Sequence, residues 1–221
     1  MTLRALLCAL ALVLSAGGAA AQAAPGRADP LSDAPEQAIT GLPYRSAASY
    51  DEALRVWQGV DELNAWIGAH FRYDMARAML LSETQRQQGG SLPITAPARF
   101  FDAPNGVCVD LSRFGVETLR ALAPQSKPSY LMIEFAPVTI QGNTLRRHWV
   151  ASFERAGQLY FFADSKRPGH IAGPYASAAA YIADYARYRG REIVAHRVLP
   201  SYEKQRRAQA QRQSREDTAS K

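Results

Sequence analysis

The chain holds two cysteines in 221 residues. The first, Cys8, lies inside an apolar run over residues 5–14, which follows the basic Arg4 and precedes a small-residue stretch ending in Ala21-Gln22-Ala23. A basic start, a short apolar middle and an A-x-A end form the pattern of a secretory signal peptide. The run is shorter than the roughly 20 residues a transmembrane helix needs, and Cys8 stands too early to be a lipoprotein cysteine. Cleavage after Ala23, with residues 19–21 as a fallback site, leaves Cys108 as the only thiol of an exported chain. A lone thiol excludes an internal disulfide. It also argues against a thiol-trapping redox role, which wants a second cysteine to resolve the mixed disulfide. In an oxidising compartment such a thiol is either buried and inert or kept for its chemistry.

Other absences narrow the function further. No later stretch is long and apolar enough to span a membrane, so no integral segment is expected after signal cleavage. There is no glycine-rich phosphate loop and no internal repeat. His70, His170 and His196 are scattered, with no metal-ligand spacing to one another or to Cys108, so neither a metal nor another cofactor is expected. Net charge is +6, from 26 basic and 20 acidic side chains. Losing Arg4 leaves +5, and from Glu203 onward six basic residues face three acidic ones, so +3 of the excess lies in the tail. The body is nearly neutral and shows no basic face on a folded element, which argues against a nucleic-acid partner. The tail reads as a solvated terminus. The signal together with an Arg- and Ala-rich chain points to a Gram-negative periplasm, with release from the cell as the alternative. Nothing in the sequence speaks to oligomeric state.

The expected organisation is a signal peptide over 1–23, a linker rich in Ala, Pro, Gly and Asp over 24–43, one domain over 44–201 and a polar basic tail over 202–221. In the domain, Ser49 with Glu52 three residues on reads as a capping box. Leu54, Val56, Trp57, Val60, Leu63, Trp66, Ile67 and Phe71 then recur at helical spacing. A further helical run covers 74–86, and "QQGGSLPITAP" reads as a loop. Val107, Leu111, Phe114, Gly115, Thr118, Leu119 and Leu122 form one apolar stripe, with Asp110, Arg113, Glu117 and Arg120 on the other side. Pro104-Asn105-Gly106 is turn material. The helix therefore starts near Val107, with Cys108 in its first turn. "SYLMIEF", "RHWVASFE" and "QLYFFAD" are strand-like runs. "YASAAAYIADYARY" is a helix ended by Gly190, and "REIVAHRVL" is a last strand. The class is α+β.

The second and third strand runs make a hairpin. With Arg155-Ala156-Gly157 as a three-residue loop, Gly157 takes the left-handed position such loops favour. Glu154 then opposes Gln158, and His148 directly opposes Asp164. A two-residue loop would instead set Trp149 opposite Asp164. Cross-strand Cβ atoms stand roughly 4.5–5.5 Å apart, within reach of an imidazole–carboxylate hydrogen bond. A cysteine at a helix N-terminus feels the positive end of the dipole, which favours the thiolate. A neighbouring histidine carries its proton, and an aspartate behind the histidine fixes the tautomer. Cys108, His148 and Asp164 supply these three parts. Singly, each is more often structural; together, in this order, they read as a catalytic set. Asp110 reads as a favourable helix-start charge rather than a catalytic group. Trp149 reads as packing with Ala151 and Phe153, or as a cleft wall.

"GVCVDLSRFGVETLRAL" followed by "RHWVASFERAGQLYFFADSKRPG" resembles the transglutaminase-like superfamily over roughly residues 96–173. The shared pattern is Gly-x-Cys opening a helix, His-Trp opening a strand, and an Asp before a short Pro-containing turn. The resemblance implies a papain-like fold, with a helical N-terminal lobe and the cysteine helix packed on an antiparallel sheet. By position it implies Cys108 as nucleophile, His148 as general base and Asp164 as its orienting residue. It implies an exported thiol enzyme acting on an amide of a protein or peptide through a thioester, with hydrolysis favoured over lysine crosslinking. A non-catalytic domain that binds peptide or cell-envelope material is the alternative. The second oxyanion donor that this family usually supplies has no match here. Asn105 is near, but reads as a turn residue.

Overall fold

The computed structural model describes residues 41–203. The expected signal peptide, nearly all of the linker and the tail beyond Glu203 lie outside the described residues.

The N-terminal part is helical, in shorter pieces than the periodicity implies. Ser49 caps α1 (Tyr50–Val56), its hydroxyl accepting from the Glu52 N–H at 3.2 Å. The single helix expected through Phe71 breaks after Trp57 and restarts as α2 (Val60–His70). Trp57 is the reason on one side: its backbone turns extended and its indole N–H donates to the Arg45 carbonyl at 2.8 Å. On the other side, Glu62 reaches back to accept the Gln58 N–H at 2.6 Å, a carboxylate cap on the new first turn. A two-residue strand β1 (Arg72–Tyr73) follows. The run expected over 74–86 is also two helices, α3 (Met75–Leu80) capped by Asp74 and α4 (Glu83–Gln87) capped by Ser82. The loop ends at α5 (Pro97–Asp102), a helix the periodicity did not reveal, with Pro97 at its first position, where the missing N–H costs nothing.

Asn105–Gly106 forms β2, which pairs in parallel with β1, Arg72 opposite Asn105 and Tyr73 opposite Gly106. This bridge ties the helical part to the start of α6 (Cys108–Leu122), in which Cys108 is the first helical residue, as its sequence context suggests. After a 3-10 turn at Pro124–Ser126 come β3 (Ser129–Ile140), β4 (Asn143–Arg155), β5 (Gln158–Phe162), β6 (Ala172–Tyr175), α7 (Ala178–Arg189) and β7 (Ile193–Leu199). The strands from β3 onward form one antiparallel sheet in the order β6-β5-β4-β3-β7. The β3–β4 register slips between Glu134 and Val138. Pro137 lies in that interval, where a residue without an N–H is tolerated.

Helices cover both faces of the sheet. On one side Leu111, Phe114, Val116 and Leu119 of α6 pack with Trp66, Phe100, Met132, Trp149, Ala151 and Phe153. Each of these four α6 side chains is essentially fully buried, worth about 1.5–3 kcal/mol apiece for the larger ones. On the other side Tyr181, Ile182 and Tyr185 of α7 pack against Leu131, Ile133, Val150 and Phe161. Gly115 lets α6 approach the sheet closely, because a Cβ there would stand 2.9 Å from the Ala163 Cβ. One expectation for α6 fails. Asp110, placed by the stripe on the polar side, is fully buried, for the reason given below. The mixed helix and antiparallel sheet make the class α+β. No helix among the described residues is long and apolar enough to cross a membrane.

Candidate active site

The hairpin that carries His148 closes with a two-residue turn, not the expected three. Arg155 opposes Gln158, and Ala156 and Gly157 both take positive φ, 51° and 75°. Two left-handed central residues match the twist of the flanking strands. Glycine does this freely, and here alanine does it as well, which is why the register is one residue off the expected one. The alternation along β4 follows. Trp149, Ala151 and Phe153 face α6, as expected for Trp149, while Val150 faces α7. His148 shares the Val150 side, and its ring stacks on Tyr185 of α7, with centroids 5.8 Å apart and planes 15° apart.

In this register continued pairing would set Trp149, not His148, opposite Asp164. The pairing stops first. Phe162 opposite Ala151 is the last pair, and Ala163 enters the left-handed region at φ 53°. That reversal re-aims the chain, and His148 and Asp164 meet after all, Nε2 to Oδ1 at 2.9 Å, both side chains buried. Asp164 Oδ1 also accepts from the Lys166 N–H at 2.9 Å and the Tyr185 hydroxyl at 3.3 Å. The Arg189 guanidinium in turn donates to the Tyr185 oxygen at 2.8 Å. Burial alone would push the Asp164 carboxyl up. The hydrogen bond and charge of His148, the Lys166 amide and Arg189 outweigh it and hold the group at about 2. An ionised carboxylate only accepts, so Nε2 carries the proton and donates, which leaves Nδ1 as the nitrogen that can exchange a proton.

Cys108 is placed from the opposite side of the sheet. Its helix start is fixed by Asp110, whose Oδ2 accepts the Val107 N–H at 3.0 Å and whose Oδ1 accepts the Thr95 N–H at 2.8 Å. Arg77 of α3 closes a bidentate pair on the same carboxylate, at 2.7 and 2.8 Å. Burial pushes Asp110 up, and these donors together bring it below the ordinary carboxylate range. Asp110 thus latches loop, α3 and α6 together. No local pattern points to Arg77, which lies 33 positions away.

Cys108 and His148 line one cleft of about 990 Å³, with Tyr73, Trp149 and Ser165 also on its walls. Cys108 is half-buried there. The cleft is open beside β4 because β5 ends opposite Ala151. The remaining candidates stand apart. Asn105 is exposed in β2, with its N–H turned to the Ala103 carbonyl at 2.7 Å. His70 Nε2 lies 2.6 Å from the Tyr44 hydroxyl, and His196 sits on β7. Among the described residues, no group of three or more His, Cys, Asp or Glu is placed to hold a metal ion. Tyr185, which the sequence places only on a helix, is the support that sequence reasoning missed.

No family model matches the chain, and no curated protein matches it. Among solved structures, calcium-bound LapG of Legionella pneumophila is similar at 16% identity and a TM-score of 0.35, over 64% of this chain and 67% of that one.

Proposed function

We propose that Cys108, His148 and Asp164 act together on an amide bond of a protein or peptide, in a cleft of the transglutaminase-like, papain-like kind, and that the chain is an exported peptidase or amidase. The observation that carries this reading is the buried 2.9 Å contact of His148 Nε2 with Asp164 Oδ1, in a cleft that also holds the first residue of a 15-residue helix, Cys108.

The chemistry follows from the placement. Asp164 holds the proton on Nε2, so Nδ1 takes the Cys108 proton. The helix start and the resulting imidazolium stabilise the thiolate. The sulfur attacks the amide carbonyl carbon, and the carbonyl π electrons move to oxygen. The Cys108 backbone N–H supplies one donor for that oxyanion. Collapse breaks the C–N bond, and the imidazolium gives its proton to the leaving nitrogen. The product is a thioester. Water, deprotonated by His148, then attacks the thioester, releasing the acid and returning the thiol. Hydrolysis is the outcome because water needs no docking site of its own, whereas a lysine acceptor does.

The test is iodoacetamide labelling of Cys108 across pH, beside His148→Ala. Labelling should rise with a midpoint well below the free-thiol value of about 8.5, and the midpoint should move up in the variant. If Cys108 labels only after denaturation, or with a midpoint indifferent to His148, the enzyme reading fails and the cleft is a binding site.

A further inference from the structure

Four arginines, Arg86, Arg146, Arg147 and Arg191, line the cleft against a single glutamate, Glu83, an excess of three positive charges. They come from α4, from β4 just before His148, and from the link between α7 and β7. No charge run in the sequence announces them; folding gathers them. Arg146 and Arg147 are partly neutralised in place. Arg146 pairs with Glu83 at 2.8 Å, and Arg147 with Glu134 at 3.2 Å. The Arg191 side chain makes no ion pair among the described residues, although burying even part of a guanidinium near a cleft wall favours a partner.

The same wall offers an extended backbone. β5 leaves β4 unpaired from Val150 back toward Asn143, and on that stretch the Thr144 N–H is taken by the Thr84 hydroxyl at 3.0 Å. Arg146, Arg147 and His148 therefore sit on a strand whose outer edge faces the cleft. An extended peptide can lie along such an edge, its side chains meeting the wall at alternate positions.

We propose that the cleft selects an acidic peptide segment, with an Asp or Glu side chain beside the bond presented to Cys108, read chiefly by Arg191. This rests on the catalytic reading only for which bond is cut; the binding is separate. A guanidinium meets a carboxylate through two parallel N–H···O bonds, which gives direction as well as charge. The charge count favours peptide over nucleic acid. With Arg146 and Arg147 engaged by Glu83 and Glu134, the guanidinium of Arg191 suits a single carboxylate rather than a phosphate backbone.

The experiment uses the Cys108→Ala protein, which cannot turn over, and two fluorescent dodecapeptide pools built on Ala, Gly, Ser and Leu. One pool carries Asp and Glu at fixed positions; the other carries Asn and Gln there. Anisotropy should show the acidic pool bound roughly tenfold tighter, the size of one charge-assisted contact. The difference should shrink with added salt, and Arg191→Gln should remove most of it. Equal affinity for the pools, or no binding of either, overturns the proposal. So does displacement of the acidic pool by an oligonucleotide of equal charge as readily as by unlabelled acidic peptide. The thiol labelling above is independent of peptide. Loss of the His148 effect with acidic preference intact sinks the catalytic reading alone, and the reverse result sinks this one alone.

Discussion

Asp110 and Asp164 are both buried carboxylates in this domain, and their surroundings differ in kind. Asp110 is saturated: both oxygens hold an Arg77 nitrogen, and each also accepts a backbone N–H. Asp164 is lopsided. Oδ1 takes His148, the Lys166 amide and the Tyr185 hydroxyl, whereas Oδ2 has no hydrogen-bond partner among the described residues and only Arg167 at 3.8 Å. A carboxylate with every lone pair occupied acts as a latch, because its neighbours cannot move without breaking strong bonds. One with its bonds gathered on a single oxygen holds a ring in place and keeps its charge uncommitted. The difference separates a group that ties elements together from one that orients a neighbouring ring, the role the proposed function gives Asp164.

Breaking the latch should give the largest effect on stability. Arg77→Met leaves Asp110 charged, buried and without its counterion. It should cost about 3–5 kcal/mol in urea unfolding. The double variant with Asp110→Leu should recover much of that loss, since an apolar pair leaves no orphaned charge. If the single variant unfolds like wild type, Asp110 is not the latch.

Asp164→Asn should cost less in stability and show mainly in activity. The Asp164 carboxyl drops from 3.8 to about 2 on folding, which corresponds to about 2 kcal/mol at neutral pH. The sign is that of a depressed acid. The contribution is fully present above about pH 4 and is lost as pH falls from about 4 toward about 2. The stability gap between wild type and Asp164→Asn should therefore close over that window, while turnover at neutral pH falls by about a hundredfold or more. A gap that persists at the acid end would mean the asparagine harms packing rather than charge.

Tyr185→Phe sharpens the contrast at the small end. It removes one neutral bond to Oδ1 and the Arg189 contact, but keeps the ring under His148. The expected cost is about 1 kcal/mol, with the acid limb of the activity profile moved up because Asp164 loses a donor. An unchanged profile would reduce Tyr185 to a stacking surface.

What could be read from the sequence follows a physical divide. The start of α6 at Cys108, the strand runs, and α7 ending at Gly190 were legible because local periodicity and turn chemistry set them. The break after Trp57 was not, because it depends on an indole reaching Arg45 across twelve positions. The hairpin register was missed by one residue because Ala156 takes a conformation that sequence reasoning reserves for glycine. His148 and Asp164 still meet, because a second left-handed residue, Ala163, undoes the shift. The arginines of the cleft were invisible for the same reason as Arg77: their proximity comes from tertiary structure alone.

The two faces of the sheet have a mechanical consequence. The thiol hangs from the core built on α6, and the imidazole is clamped by the core built on α7. The cleft is thus a joint between two separately packed bodies, and in the proposed reaction their alignment would set the distance from thiol to imidazole. Tyr181 stacks on Phe161 at 3.8 Å and on Tyr185 at 5.3 Å. Residues at that depth are not on the cleft wall, yet they act as its adjusting screws.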